Sequence, residues 1–550
     1  MICAAQTTNL KDASKLNSLA HLKQDPIWLE LDRNIAIMSI QPLQNPQEDD
    51  STLQMWQTAL SPWTSSILPH ATNLSRARAS LITPLPANGL GFSETKRHIL
   101  DDIIPGFNGS SLCPNYYGFV TGGVTPAALL ADNIVSAYDQ NVQVHLPDHS
   151  IATEVEHQAL NLLLDLFDLD HKNWPHKILT TGATTSNILG LALGREFVLR
   201  AAVERKAGVG QEVKSVGEHG VAAVLLAAGL KGVQVLTTYP HSSLGKAAGI
   251  LGIGRANVKS VCVADLSEGV SQRPLMFDIE ALERELARGD MASIVAVSCG
   301  EVNTGQFATK GLEEFKKIRQ LCDKYGAWLH VDGAFGIFGR ILKGESEFDH
   351  ILEGCQGLEL AHSITGDAHK LLNVPYDCGF FFSHHGGLAG DVCRNPNAAY
   401  LSSGNGDGNT SILSPINNGI ENSRRLRALP VYATLVAYGR DGYRDMLKRQ
   451  IRLARLVVDW LFEHPAYTVL PITPAKEELL HNTFMIVLFR ARDEGLNRVL
   501  VNKINETSEM YVSGTIWEGI PACRIAISNW RVNEKRDFEV ITSVLNGIIG

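Results

Sequence analysis

Apolar and polar positions along this chain follow two rhythms. Short continuous apolar runs end near Thr180 and recur at 221–226, 233–238, 258–264, 293–298, 328–331 and 378–382. Runs of that length read as strands buried on both faces. Between several of them lie stretches with helical periodicity, such as 311–325. Strand–helix alternation predicts a mostly parallel α/β sheet. Further helices are expected over 93–104, 125–138, 152–169, 430–438 and 442–463. The tail changes character: strands at 484–489, 511–513 and 524–528 and a closing helix predict a small α+β domain. The first 110 residues are mixed, with helices expected at 17–31, broken near Pro26, and at 50–60. The expected organisation is an N-terminal helical segment (1–110), a large α/β domain (111–430) and a small C-terminal domain (431–550).

Composition narrows the function classes. Hydrophobic residues make up 45% of the 550, charged residues 19%, and the net charge is −9. The balance is that of a globular protein, and the acidic excess argues against nucleic acid or an anionic membrane as main partner. No apolar stretch of about eighteen residues predicts a membrane span. The start, MICAAQTTNL, lacks the pattern of a signal peptide. Nine scattered cysteines without a CxxC pair suggest reduced thiols in a cytoplasmic enzyme rather than a disulfide framework or a metal site.

Chemistry gathers at strand ends. Asp332 follows the run 327–331, and Lys370 follows the run 363–365 and the turn Gly366-Asp367. At the carboxyl ends of neighbouring strands, an Asp can hold a protonated pyridine nitrogen while a Lys forms a Schiff base with an aldehyde. That pairing is the chemistry of pyridoxal 5'-phosphate. Plainer readings exist: Asp after a strand is often a helix N-cap, and His-Lys pairs also occur at 171–172 and 176–177, where Lys177 enters a strand. Thr181 to Asn187 is a small-residue turn opening a helix, which suits a phosphate or is an ordinary Thr-rich cap; no GK[ST] follows, so it is not a Walker loop. His241 stands beyond another strand end, able to stack on a planar cofactor or to cap the next helix. Glu301 to Gly305 occupies a further strand end. Residues 115–123 form a turn or a pocket wall, and 402–411 a linker or a lid. Arg424, Arg425 and Arg427 form a solvated face or an anion clamp.

Taken in order, these motifs resemble the group II pyridoxal-phosphate-dependent decarboxylases, which include glutamate, aromatic-amino-acid and diaminobutyrate decarboxylases. The resemblance is strongest over about 111–440. It implies fold type I (aspartate-aminotransferase-like) and a homodimer with active sites at the interface. It implies that Lys370 carries the cofactor beside His369, that Asp332 pairs with the ring nitrogen, and that Ala334 and His241 flank the ring. Ala183 and Thr184 would hold the phosphate with Asn187 nearby, and Glu301 would lie near the phenolic oxygen. Tyr117, Tyr400, Asn418 and Arg425 are expected around the substrate. The implied reaction is decarboxylation of an L-amino acid to an amine and CO₂. This chain departs from the family at Ala368 and Leu371, where Pro and Trp are usual, and at Glu301, where Thr is usual. It also has no Tyr between Leu401 and Arg424, where many members carry the one that returns a proton to Cα. The last departure keeps oxidative deamination to an aldehyde open. The same fold also serves carbon–carbon lyases, and it can serve a non-catalytic binding protein.

Overall fold

The computed structural model describes residues 67–207, 215–263, 275–395 and 412–549. The helices expected at 17–31 and 50–60, the stretch 402–411 and Tyr400 lie outside the described residues.

Seven strands form the large sheet: β1 (His176–Thr180), β2 (Gly232–Thr237), β3 (Val258–Ser260), β4 (Met291–Ser298), β5 (Trp328–Asp332), β6 (Ser363–Asp367) and β7 (Gly379–Ser383). Their spatial order is β1-β7-β6-β5-β4-β2-β3. The five from β6 to β3 are mutually parallel, and β7 runs antiparallel between β6 and β1. Both faces are covered, which is why these strands read as unbroken apolar runs. In β4, Ile294 and Ala296 face the helices α3 (Ala183–Ala207) and α4 (Ser242–Ile250). Val295 and Val297 face the opposite layer, which includes α1 (Pro126–Tyr138), α2 (Ala152–Leu166) and α5 (Gly311–Tyr325). The register sets Ser298, Asp332 and Thr365 side by side on three neighbouring strands. That alignment builds the floor of the site.

One expected strand is a helix. Residues 221–226 belong to the helix Val221–Ala228, which buries Val224 and Ala228. Its apolar run is Ala-rich, a glycine stands at each end, and burial falls at i and i+4 rather than on alternate residues.

The tail forms a four-stranded antiparallel sheet in the order β10-β11-β9-β8: β8 (Tyr467–Leu470), β9 (Ile486–Ala491), β10 (Ser513–Trp517) and β11 (Ile520–Ala526). The long helix α6 (Ala428–Glu463) is interrupted at Gly439 (φ 59°), between the two helices expected there. Its Val431, Tyr443 and Ile451 pack in the large core, and its Leu453, Val457 and Leu461 pack beneath the small sheet. No described helix is long and apolar enough to cross a membrane.

Candidate active site

Asp332 closes β5 and is 6% exposed. Its Oδ2 accepts from Asn187 Nδ2 at 2.9 Å and its Oδ1 from the Ala334 N–H at 3.2 Å. Neither donor is cationic. Asn187 lies one turn inside α3, so its side chain reaches the Asp332 carboxylate rather than standing with the phosphate group at the helix start. Its amide also donates to Ser243 Oγ at 2.9 Å, and its Oδ1 meets His330 Nε2 at 2.9 Å. An amide oxygen only accepts, so His330 donates through Nε2. The other ring nitrogen is 2.7 Å from Ser363 Oγ, which accepts from Trp328 Nε1 at 3.1 Å. Gly190 makes this possible: a Cβ there would lie 2.4 Å from His330 Cε1.

Burial pushes the His330 pKa down to about 4, against the attraction of Asp332. His176 is held at about 4 and His362 at about 3, also chiefly by burial. Unfolded histidines titrate near 6.5, so between that value and the folded one the unfolded chain binds the extra proton. The stability these residues contribute is complete above pH 6.5 and is lost as pH falls. The expected loss is about 2 kcal/mol per histidine by pH 5. Urea unfolding at pH 7 and pH 5 tests this, and equal midpoints would contradict it.

Lys370 sits just past β6 on the short helix Ala368–Leu371. Its Nζ is 3.0 Å from Asp367 Oδ2 and 5.6 Å from the Phe335 ring centre. Asp367 Oδ1 accepts from the Ala183 N–H at 2.6 Å and faces His369 Nε2 at 3.5 Å. Ala183 and Thr184 open α3, where Thr181 and Thr185 join hydroxyls at 2.6 Å. His241 caps α4: its Nδ1 accepts from the Ser243 N–H at 3.2 Å and lies 2.8 Å from Ser243 Oγ. His241 is exposed as a residue, yet the surrounding protein removes enough water from its ring to lower its pKa.

Four expected site residues are placed elsewhere. Tyr117 is 1% exposed, accepts from Asn115 Nδ2 at 2.9 Å and packs in the small-sheet core; consecutive residues of an extended segment point to opposite sides, and Tyr117 takes the inward one. Asn418 binds the amino end of β1, its carbonyl contacting His176 Nε2 at 2.8 Å, whereas the phosphate turn leaves β1 at its carboxyl end. Arg425 pairs with Asp132 at 2.9 Å on α1. Glu301 turns into its own loop, accepting from Thr304 N–H at 2.8 Å, Thr304 Oγ1 at 3.0 Å and Asn303 Nδ2 at 3.0 Å. A carboxylate so engaged offers no donor to a phenolic oxygen.

Two further residues lie near the site, and the sequence marks them only weakly. Arg524 of β11 is buried and donates to Val302 O at 2.7 Å and Ser513 Oγ at 3.3 Å, both neutral oxygens. A lone Arg inside an apolar strand was the available signal. Tyr376 packs on the His369 ring with centroids 4.4 Å apart, and its hydroxyl is 3.3 Å from Thr121 Oγ1. It lies in a short turn with no periodicity to mark it.

The residues fit pyridoxal phosphate. A buried carboxylate whose donors among the described residues are both neutral favours a cationic partner, and a protonated pyridine nitrogen is one. Thr365 Oγ1, beside Asp332 in the register, is buried without a hydrogen-bond partner. The start of α3 presents hydroxyls and a favourable dipole to a phosphate.

Comparison with known proteins decides the family. Residues 99–470 match the model of the pyridoxal-dependent decarboxylase conserved domain, which is more than half of the chain. The chain belongs to the pyridoxal-dependent decarboxylase family. It is a pyridoxal-phosphate enzyme of fold type I that decarboxylates an amino acid. L-2,4-diaminobutyrate decarboxylase of Acinetobacter baumannii is 26% identical over 61% of this chain and 60% of its own length. Tryptophan decarboxylase 1 of Oryza sativa subsp. japonica is 24% identical over 81% of this chain and 82% of its own length. The crystal structure of Oryza sativa TDC with PLP and tryptamine superposes with a TM-score of 0.73 at 20% identity, covering 93% of this decarboxylase and 99% of that chain.

Proposed function

We propose that this decarboxylase acts on an L-amino acid whose side chain is not acidic, releasing CO₂ and the amine. The carrying observation is the placement of Lys370 and Asp332 at the ends of adjacent parallel strands, with His241 capping α4 beside them. In this reading Lys370 holds the cofactor aldehyde, Asp332 keeps the ring nitrogen protonated, and the opening of α3 with Thr184 holds the phosphate. Ala183 shares its amide with Asp367. Ala334 and His241 flank the ring, and His369 supports Lys370 through Asp367. Bound there, pyridoxal phosphate supplies a ring that accepts the electron pair left when the Cα–carboxylate bond breaks. Arg524 receives the substrate carboxylate, because it is a buried guanidinium hydrogen-bonded to neutral oxygens. His241 then returns a proton to Cα, a role the sequence leaves open by having no Tyr between 401 and 424. Tyr376 borders the side-chain pocket beside His369.

The side-chain preference follows from the other arginines. Arg424 is bound to Glu156, Arg425 to Asp132, and Arg427 to Asp377 and Glu421. Each is committed to a carboxylate of the protein, so none is left for a second substrate carboxylate. A screen of L-amino acids for CO₂ and amine tests the reading. Glutamate or aspartate as best substrate would refute it. Hydrogen peroxide and aldehyde in place of amine would move the reaction to oxidative deamination.

The reading places the enzyme in the cytoplasm as a homodimer. Leu130, Ile134 and Tyr138 form an exposed stripe at i, i+4 and i+8 on α1, which supports burial against a second copy. Leu130→Glu should convert a dimer into a monomer in light scattering. An unchanged mass would exclude this stripe from the interface.

A further inference from the structure

The hydrogen bonds around Asn187 have directions that follow from chemistry alone. The Asp332 carboxylate accepts only, so Asn187 turns its amide N–H₂ towards it. One N–H goes to Asp332 Oδ2 and the other to Ser243 Oγ, each at 2.9 Å. Ser243 Oγ thus accepts a hydrogen bond from Asn187, and its own hydroxyl hydrogen is directed to His241 Nδ1, 2.8 Å away. The backbone N–H of Ser243 points at the same nitrogen at 3.2 Å. Two donors converge on one ring nitrogen, which must then carry no proton.

We propose that Asn187 and Ser243 are positioning residues that hold His241 as the tautomer protonated on Nε2. This deepens the role of His241 given above and rests on that reading only for its use in the reaction. The held tautomer leaves His241 with one N–H, on the nitrogen not engaged in capping. The amide of Asn187 is fixed the same way round from its other side, because its Oδ1 accepts from His330 Nε2 at 2.9 Å. Both of its N–H groups are therefore kept on Asp332 and Ser243.

Charged groups face His241 from several elements. Asp332 at the end of β5 and Asp367 at the end of β6 favour the imidazolium; Lys370 and Arg524 of β11 oppose it. Donors to Nδ1 favour the neutral ring as well, so removing them should raise the ring's affinity for a proton.

Nitrogen-15 NMR of the full chain labelled at histidine, without cofactor, reads the tautomer directly. His241→Gln identifies the two ring signals. The expected wild-type result at pH 7 is an unprotonated Nδ1 and a protonated Nε2. Ser243→Ala and Asn187→Leu should each mix the tautomers and raise the ring pKa by about one unit. Ser243→Thr, which keeps the hydroxyl, should restore the wild-type signals. In the loaded enzyme the acid limb of kcat/KM should move to higher pH in Ser243→Ala and return in Ser243→Thr. A wild-type His241 protonated on Nδ1 overturns the proposal without any variant. So does a Ser243→Ala protein with both ring signals unchanged. If the signals move and the acid limb does not, the tautomer lock stands and the use of His241 in the reaction falls.

Discussion

Lys370→Ala should lose the visible absorbance of lysine-bound pyridoxal phosphate and release CO₂ more than about 10³-fold more slowly. The side chain removed is the amine next to β6 that meets both Asp367 and the Phe335 face. Its loss also leaves Asp367 in a site where its carboxylate is 5% exposed, with the Ala183 N–H and His369 as remaining partners. A destabilisation of about 1–3 kcal/mol is therefore expected beside the loss of activity. Lys370→Arg separates the two effects. It keeps a cation for Asp367 and supplies no amine that condenses with an aldehyde. Its melting temperature should stay near wild type while the absorbance band is absent. A band retained in either variant would place the anchoring lysine elsewhere.

Asp332→Asn should cost activity far more than stability. The native carboxylate is 6% exposed and is met by Asn187 and the Ala334 N–H. Without cofactor, exchanging the carboxylate for an amide removes the desolvation cost of a buried charge but sets the new N–H₂ against one of two donors, Asn187 Nδ2 or the Ala334 N–H, which offsets it. The melting temperature of the cofactor-free protein should stay within a few degrees of wild type. With cofactor, losing one partner of a buried charge pair costs about 3–5 kcal/mol, which corresponds to about 10²- to 10⁴-fold in rate. Melting of cofactor-free protein and steady-state kinetics on the same preparation check both halves. Activity within tenfold of wild type would show that charge at this position is not what the ring requires.

The two strand-end residues were legible because an apolar run and its end are local features. Such features alone set Asp332 and Lys370 on the same side of a sheet. His241 was legible in both of its readings, and the structure shows the capping one through Ser243. Contacts made across long separations in the chain were not legible. Arg424 and Arg425 meet Glu156 and Asp132 from far along the chain, and nothing in the cluster itself reveals those partners. Proximity along the chain groups Asn187 with the phosphate turn, yet one further helical turn carries it to Asp332. Tyr116 and Tyr117 are neighbours with opposite fates. The first stacks on Tyr511 at 4.6 Å and the second enters the core, a choice that alternation alone leaves open. The run 221–226 reads as a strand by its length and apolarity, and burial at Val224 and Ala228 makes it a helix.

The helix α6 has a consequence for how the protein comes apart. Its first half is one wall of the large core, and its second half is the base on which the small sheet rests. Neither core keeps a complete boundary if the other dissolves, because each would strip one half of a shared rod. Heating should therefore register in a calorimeter as one peak for both sheets, and a protein cut within α6 should lose both together.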